Sequence, residues 1–88
     1  MHTHRRNLMD RLTLTLDRAD MTGLALAVSA AASNAYHDDR PHTAIENYRL
    51  AVRLWVTLDR ADVAVEKMKL MDSIRQELAE AAINPEVE

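Results

Sequence analysis

Apolar residues recur at helical spacing along almost the whole chain. Leu8, Leu12 and Leu16 stand at i, i+4 and i+8, with Met9 alongside and Arg5, Asp10 and Arg11 on other faces. This spacing predicts a short amphipathic helix over about 4–16. Leu12, Leu14 and Leu16 also alternate with threonine, a strand-like pattern in a stretch too short to decide by itself. Residues 21–36, MTGLALAVSAAASNAY, hold no charged side chain in sixteen positions. A helix of that kind in a soluble protein has to be covered on nearly every side. The prediction is a central helix over about 20–37, with Asp20 able to cap its start. Leu24, Val28, Ala31, Ala32 and Ala35 form one stripe. Ala27, Ala30 and Ser33 leave the other side flat enough for a neighbouring helix to come close.

His37-Asp38-Asp39-Arg40-Pro41-His42 is the clearest break. Pro41 suits the first turn of a new helix, where its missing N–H has no partner to lose. Thr43 and Glu46 have the spacing of a capping box. The helix expected over 41–58 carries Ala44, Ile45, Tyr48, Ala51, Val52 and Trp55 on one wide apolar face. Leu50, Leu54 and Leu58 add a second seam, and Glu46, Arg49 and Arg53 make a narrow polar edge. No glycine or proline lies between Pro41 and Pro85, so 41–83 is either one long helix or two. Asp59 and Asp62 read as caps or first-turn acids of a helix over about 60–83. There Val63, Lys67, Leu70, Met71, Ile74, Leu78 and Ala81 follow helical spacing, and Asn84-Pro85 ends the run before a short tail at 84–88.

The hexapeptide TLDRAD occurs at 15–20 and again at 57–62. Each copy follows an apolar stretch and precedes another, so the simplest account places them at equivalent corners of a duplicated helix–turn–helix unit. Composition sharpens the fold class. The chain has 88 residues, 48% of them apolar, with no Phe, one Trp, two Tyr, one Gly and two Pro. Ala, Leu, Val and Met must fill the core, which favours close-packed helices over sheets. The expectation is a single all-α domain of three to four antiparallel helices, a helical hairpin or small bundle.

Several residues resemble a tetratricopeptide repeat. Ala32-Ser33 precede Tyr36 as small residues precede an aromatic in that family's first helix. Ala44, Tyr48 and Ala51 have the spacing of its second. The resemblance covers about 21–62 and departs from the family pattern in its period, 42 residues between the TLDRAD copies instead of about 34, and in three places. The Tyr36–Ala44 gap is one residue short, Ala32-Ser33 replaces the usual Leu-Gly, and the trailing proline is missing. It implies a partner groove lined by Asn34 and His37 on the first helix and by Lys67 on the following one. Arg49 and Arg53 are added as candidates for such a groove. About three repeats are needed for a stable solenoid, whereas this chain has one hairpin with flanking helices. It is expected to fold back on itself or to form a homodimer through the 43–58 helix or through the Ala-rich helix, with Leu50, Leu54, Trp55 and Leu58 as candidate self-association residues; Trp55, the one indole, reads first as core and, where exposed, as an interface anchor.

Charge and chemistry change this picture little. The net charge is −3, ordinary for a soluble protein. Residues 1–18 are locally basic and 59–88 locally acidic. Cysteine is absent, which removes disulfides, thiolate zinc sites and thiol nucleophiles and fits a cytoplasmic location. Arg5-Arg6 followed by an apolar, small-residue run has the outline of a secretory signal, but Asp10, Asp17 and Asp20 argue against one. The same run is too short and too polar to span a bilayer. His37, Asp38, Asp39 and His42 share one turn and are read as solvated helix-end residues rather than metal ligands, and His2 and His4 as part of the chain end. No cofactor motif, glycine-rich phosphate loop or nucleophile with a base is present, so the chain is not expected to be an enzyme. The function expected is a non-catalytic protein–protein interaction module. The alternative is a nucleic-acid-linked regulator using the basic arm with Arg5, Arg6, Arg11 and Arg18, joined by Arg49, Arg53 and Arg60.

Overall fold

The computed structural model describes residues 12–83. They form three helices, α1 (Arg18–His37), α2 (Pro41–Thr57) and α3 (Ala61–Ile83), and no strand occurs among them. The all-α expectation holds. α1 starts two residues earlier than the sequence indicated. Asp17, in extended backbone, accepts the Asp20 N–H at 2.8 Å, so Asp17 is the cap and Asp20 is an acid in the first turn. α2 starts with Pro41 in its first turn, and no side chain caps it. The Thr43–Glu46 capping box does not form, because the proline begins the helix upstream of Thr43 and puts it inside the first turn. The helix expected over 4–16 is not formed at 12–16, which have no regular structure; its remainder, and the tail at 84–88, lie outside the described residues. Leu12 is 91% and Leu14 72% exposed, so nothing packs on them to offset the nucleation cost of a short helix.

Both corners between helices are built the same way. After α1, Asp39 takes φ 63°. Its N–H donates to the Tyr36 carbonyl at 3.1 Å, and the Arg40 N–H reaches the Ala35 carbonyl at 2.8 Å. After α2, Asp59 takes φ 62°, with Asp59 N–H to Val56 O at 2.9 Å and Arg60 N–H to Trp55 O at 2.8 Å. Each is a Schellman ending with a left-handed aspartate where glycine is usual. The second divides 41–83 into two helices. It also corrects the reading of the repeated hexapeptide. Asp59 in the second copy is left-handed, whereas Asp17 in the first sits at φ −78° as an N-cap. The equivalent corners are Asp39-Arg40 and Asp59-Arg60. The two TLDRAD copies instead touch: the Arg18 guanidinium donates to the Leu58 carbonyl, an orphan acceptor at the end of α2.

α1 and α3 each run antiparallel to α2 and pack along it rather than along each other. One cluster gathers Ala25, Ala51, Trp55, Leu58 and Ala64 near the start of α1. The other gathers Ala32, Ala35, Ala44, Ile45, Tyr48, Met71 and Ile74 near its end. Six alanines, Ala25, Ala32, Ala35, Ala44, Ala51 and Ala64, are at most 2% exposed, which lets the backbones approach closely. Trp55 is the large anchor. Its Nε1–H donates to Ser29 Oγ at 3.1 Å, and Ser29 Oγ–H donates to the Ala25 carbonyl at 2.8 Å.

Two substitutions test this packing. Ser29→Ala strands the Trp55 N–H beside the core and is expected to lower unfolding free energy by about 1–3 kcal/mol in urea melts. Asp39→Gly or Asp59→Gly relieves a left-handed non-glycine residue and is expected to raise stability by about 0.5–1 kcal/mol each. The same two changes destabilising the protein would contradict the Schellman geometry.

Candidate interaction surface

Residues 21–36 carry no charge, yet α2 covers only one side of them. Ala25, Ala32 and Ala35 are buried against it. On the opposite side Gly23, Ala27, Ala30 and Asn34 recur at i, i+4, i+7 and i+11, all exposed. Leu26, 58% exposed, flanks this line on one side, and Leu24, at 38%, and the exposed Ala31 flank it on the other. A Cβ placed on Gly23 would meet nothing within 4 Å. The outward side of α1 is therefore smooth, uncharged and open. α2 and α3 differ: Glu46, Arg49 and Arg53, and Glu66, Lys69, Asp72 and Glu80, are all exposed.

At the far end of α1 lies a cleft with a volume of about 380 Å³, lined by Tyr36, His37, Asp39, Pro41, Glu77 and Leu78. The Tyr36 hydroxyl donates to the Glu77 carboxylate, 3.0 Å from either oxygen, and ties α1 to α3 across the cleft. That hydrogen bond, with the charge of Glu77, raises the Tyr36 pKa above its ordinary 10.0. The His37 ring meets Tyr36 edge-on at 5.7 Å. Asp38 pairs with Arg40 at 3.7 Å, but no cation among the described residues lies within 4.0 Å of Asp39 or Glu77.

The residues singled out from sequence scatter. Asn34 lies on the open side of α1 and His37 in the cleft, but Lys67 is half-buried in the first half of α3. The α3 residues at the cleft are Glu77 and Leu78, so of Asn34, His37 and Lys67 only His37 lines it. Arg49 and Arg53 are exposed on α2, away from the cleft. Of the proposed self-association residues, Trp55 is 5% and Leu58 2% exposed. Both belong to this subunit's core and cannot meet a second copy. Leu54 is half-buried, and Leu50 stays open at 44%. Of the arginines considered for a basic face, Arg18 serves the Leu58 carbonyl and Arg60 pairs with Asp62 at 3.0 Å; Arg5, Arg6 and Arg11 lie outside the described residues. No group of three His, Asp or Glu able to hold a metal ion occurs among the described residues; His2 and His4 lie outside them. Among the described residues no helix is long and apolar enough to cross a membrane.

Leu24 and Leu26 were not singled out from sequence as interface residues, and Glu77 was read only as part of the wet side of the last helix. The uncharged run was the available signal for the leucines. Pairing Tyr36 with Glu77 needed the corner geometry, since 41 positions separate them. No protein-family profile, characterised protein or solved structure matches this chain.

Tyr36 titration provides a test of the α1–α3 tie. Its folded pKa is raised, so the hydrogen bond contributes stability fully below pH 10 and loses it as pH rises through the folded value. Wild type should exceed Tyr36→Phe in urea midpoint at pH 8, and the difference should close above pH 10. A difference that does not change with pH would show that the phenol and Glu77 do not interact.

Proposed function

We propose that this chain is a non-catalytic protein–protein interaction module that associates with itself through the outward side of α1. One observation carries the reading: half of a twenty-residue helix faces water without a charged side chain between Met21 and Tyr36. A surface helix normally carries its charges on that side. Small side chains along the middle of the face let a second helix come within about 8–10 Å, and Leu24 and Leu26 supply apolar area at its edges. A symmetric antiparallel pairing uses the same patch twice and closes as a dimer. The resemblance of 21–62 to a tetratricopeptide hairpin agrees with an adaptor role. The lack of cysteine agrees with the cytoplasm.

Light scattering across the micromolar range is expected to give twice the 10.0 kDa chain mass. Leu26→Glu combined with Ala27→Glu should return the protein to a folded monomer, because both positions are open to water and their replacement leaves the core intact. Leu50→Glu on α2 should leave the dimer in place. A wild-type protein that stays monomeric throughout, or a dimer broken by Leu50→Glu and not by the α1 pair, would refute the assignment to α1.

A further inference from the structure

The cleft at the end of α1 has the chemistry of a receptor for a cationic side chain. Its two carboxylates, Asp39 and Glu77, have no cationic partner among the described residues. The hydroxyl of Tyr36 has one hydrogen to donate, so Glu77 keeps acceptor capacity after receiving it. The Tyr36 ring offers an aromatic face, and Pro41 and Leu78 offer apolar walls for a methylene stem. A planar guanidinium with several donors suits two carboxylates and an aromatic ring better than a compact ammonium does.

Four of the chain's 11 basic residues, Arg5, Arg6, Arg11 and Arg18, stand at or before the opposite end of the same helix. Arg5 and Arg6 precede α1, and the chain enters that helix at Asp17. The twenty residues of α1 separate that entry from the cleft by about 30 Å at 1.5 Å per residue. Antiparallel pairing of two α1 helices removes the separation. A register centred between Ala27 and Ala30 sets Gly23 level with the partner's Asn34 and Asp20 level with the partner's His37. It also sets Asp17 level with the partner's Arg40. The arm of one copy then leaves its helix beside the cleft of the other. Eleven residues from Arg6 to Asp17 span up to about 35 Å when extended, ample to enter it.

We propose that the cleft lined by Tyr36, His37, Asp39, Pro41, Glu77 and Leu78 binds Arg5 or Arg6 of a second copy, so that paired α1 helices exchange basic arms at both ends. This proposal rests on the self-association through α1 proposed above and names a second contact within it.

Complementary charge reversal in the full-length chain separates the two claims. One variant carries Arg5→Glu and Arg6→Glu, the other Asp39→Arg and Glu77→Arg, and circular dichroism checks that both remain helical. Each alone is expected to raise the dimer dissociation constant at least about tenfold by analytical ultracentrifugation. An equimolar mixture should recover near wild-type affinity, because the heterodimer pairs a native arm with a native cleft and a reversed arm with a reversed cleft. Wild-type affinity in both variants would overturn arm exchange and leave the α1 pairing standing. Recovery only when all four changes share one chain would also overturn it, by placing the arm in its own subunit's cleft. A wild-type protein that never dimerises would refute the α1 pairing and arm exchange together.

Discussion

Close approach of backbones through alanine is the constraint on which this structure depends. Six alanines on three helices are at most 2% exposed, and they meet where α2 lies between its neighbours. Alanine loses no side-chain rotamer entropy on burial, so tight seams form at low cost, but each residue removes little apolar area from water. Larger side chains there would push the helices apart, at about 1–3 kcal/mol for overpacking. The anchors are correspondingly few. Trp55 fills one end of the layer, Tyr48 with Ile45 and Ile74 the other. Satisfying the Trp55 N–H with a serine from α1 therefore matters more here than it would in a core rich in aromatics.

Thin alanine seams also account for the open architecture. α2 is covered by a neighbour on each side, whereas α1 and α3 each have one main partner. Nothing within the described residues closes the layer along α1. The contacts that hold its ends are polar and specific: Arg18 on the Leu58 carbonyl at one end, Tyr36 on Glu77 at the other. Each joins elements about forty positions apart, and each sits at a helix terminus, where side chains reach past the backbone seam.

Much of this was legible in the residues. The uncharged run marked α1, and Pro41 marked the start of α2. The missing glycines and prolines excluded a sheet. What escaped was geometry that one letter does not encode. Asp17 and Asp59 stand in the same hexapeptide, yet one is extended and caps a helix start while the other is left-handed and ends a helix. The difference comes from what precedes them. Leu58 is buried at the end of a packed helix, whereas the residues before Asp17 are almost all open to water. Helical spacing aligns Leu58 with Leu50 and Leu54 and so suggests an interface, although Leu58 is buried in the subunit. Spacing fixes a face but not which neighbour covers it. The outward leucines of α1 were missed for the complementary reason: a helix that needs cover on every side gives no hint of which side the chain itself leaves bare.

Helix propensity offers an ordinary explanation for part of that bare side, since alanine is the best helix former and Ala27, Ala30 and Ala31 need no other reason. It does not extend to the rest. Leu26 gains little by facing water, and a charged residue there would cost the lone subunit almost nothing, within about 0.5 kcal/mol for an ordinary surface change. Gly23 is worse than neutral, about 1 kcal/mol below alanine in a helix interior. Within the subunit that loss has no steric return, because a side chain there would meet only open space. A residue that weakens its own helix, on the same line as Ala27 and Ala30, makes sense where another backbone has to come close. The same holds for the absence of charge along the whole face, which desolvation by a neighbour would make expensive and water would not.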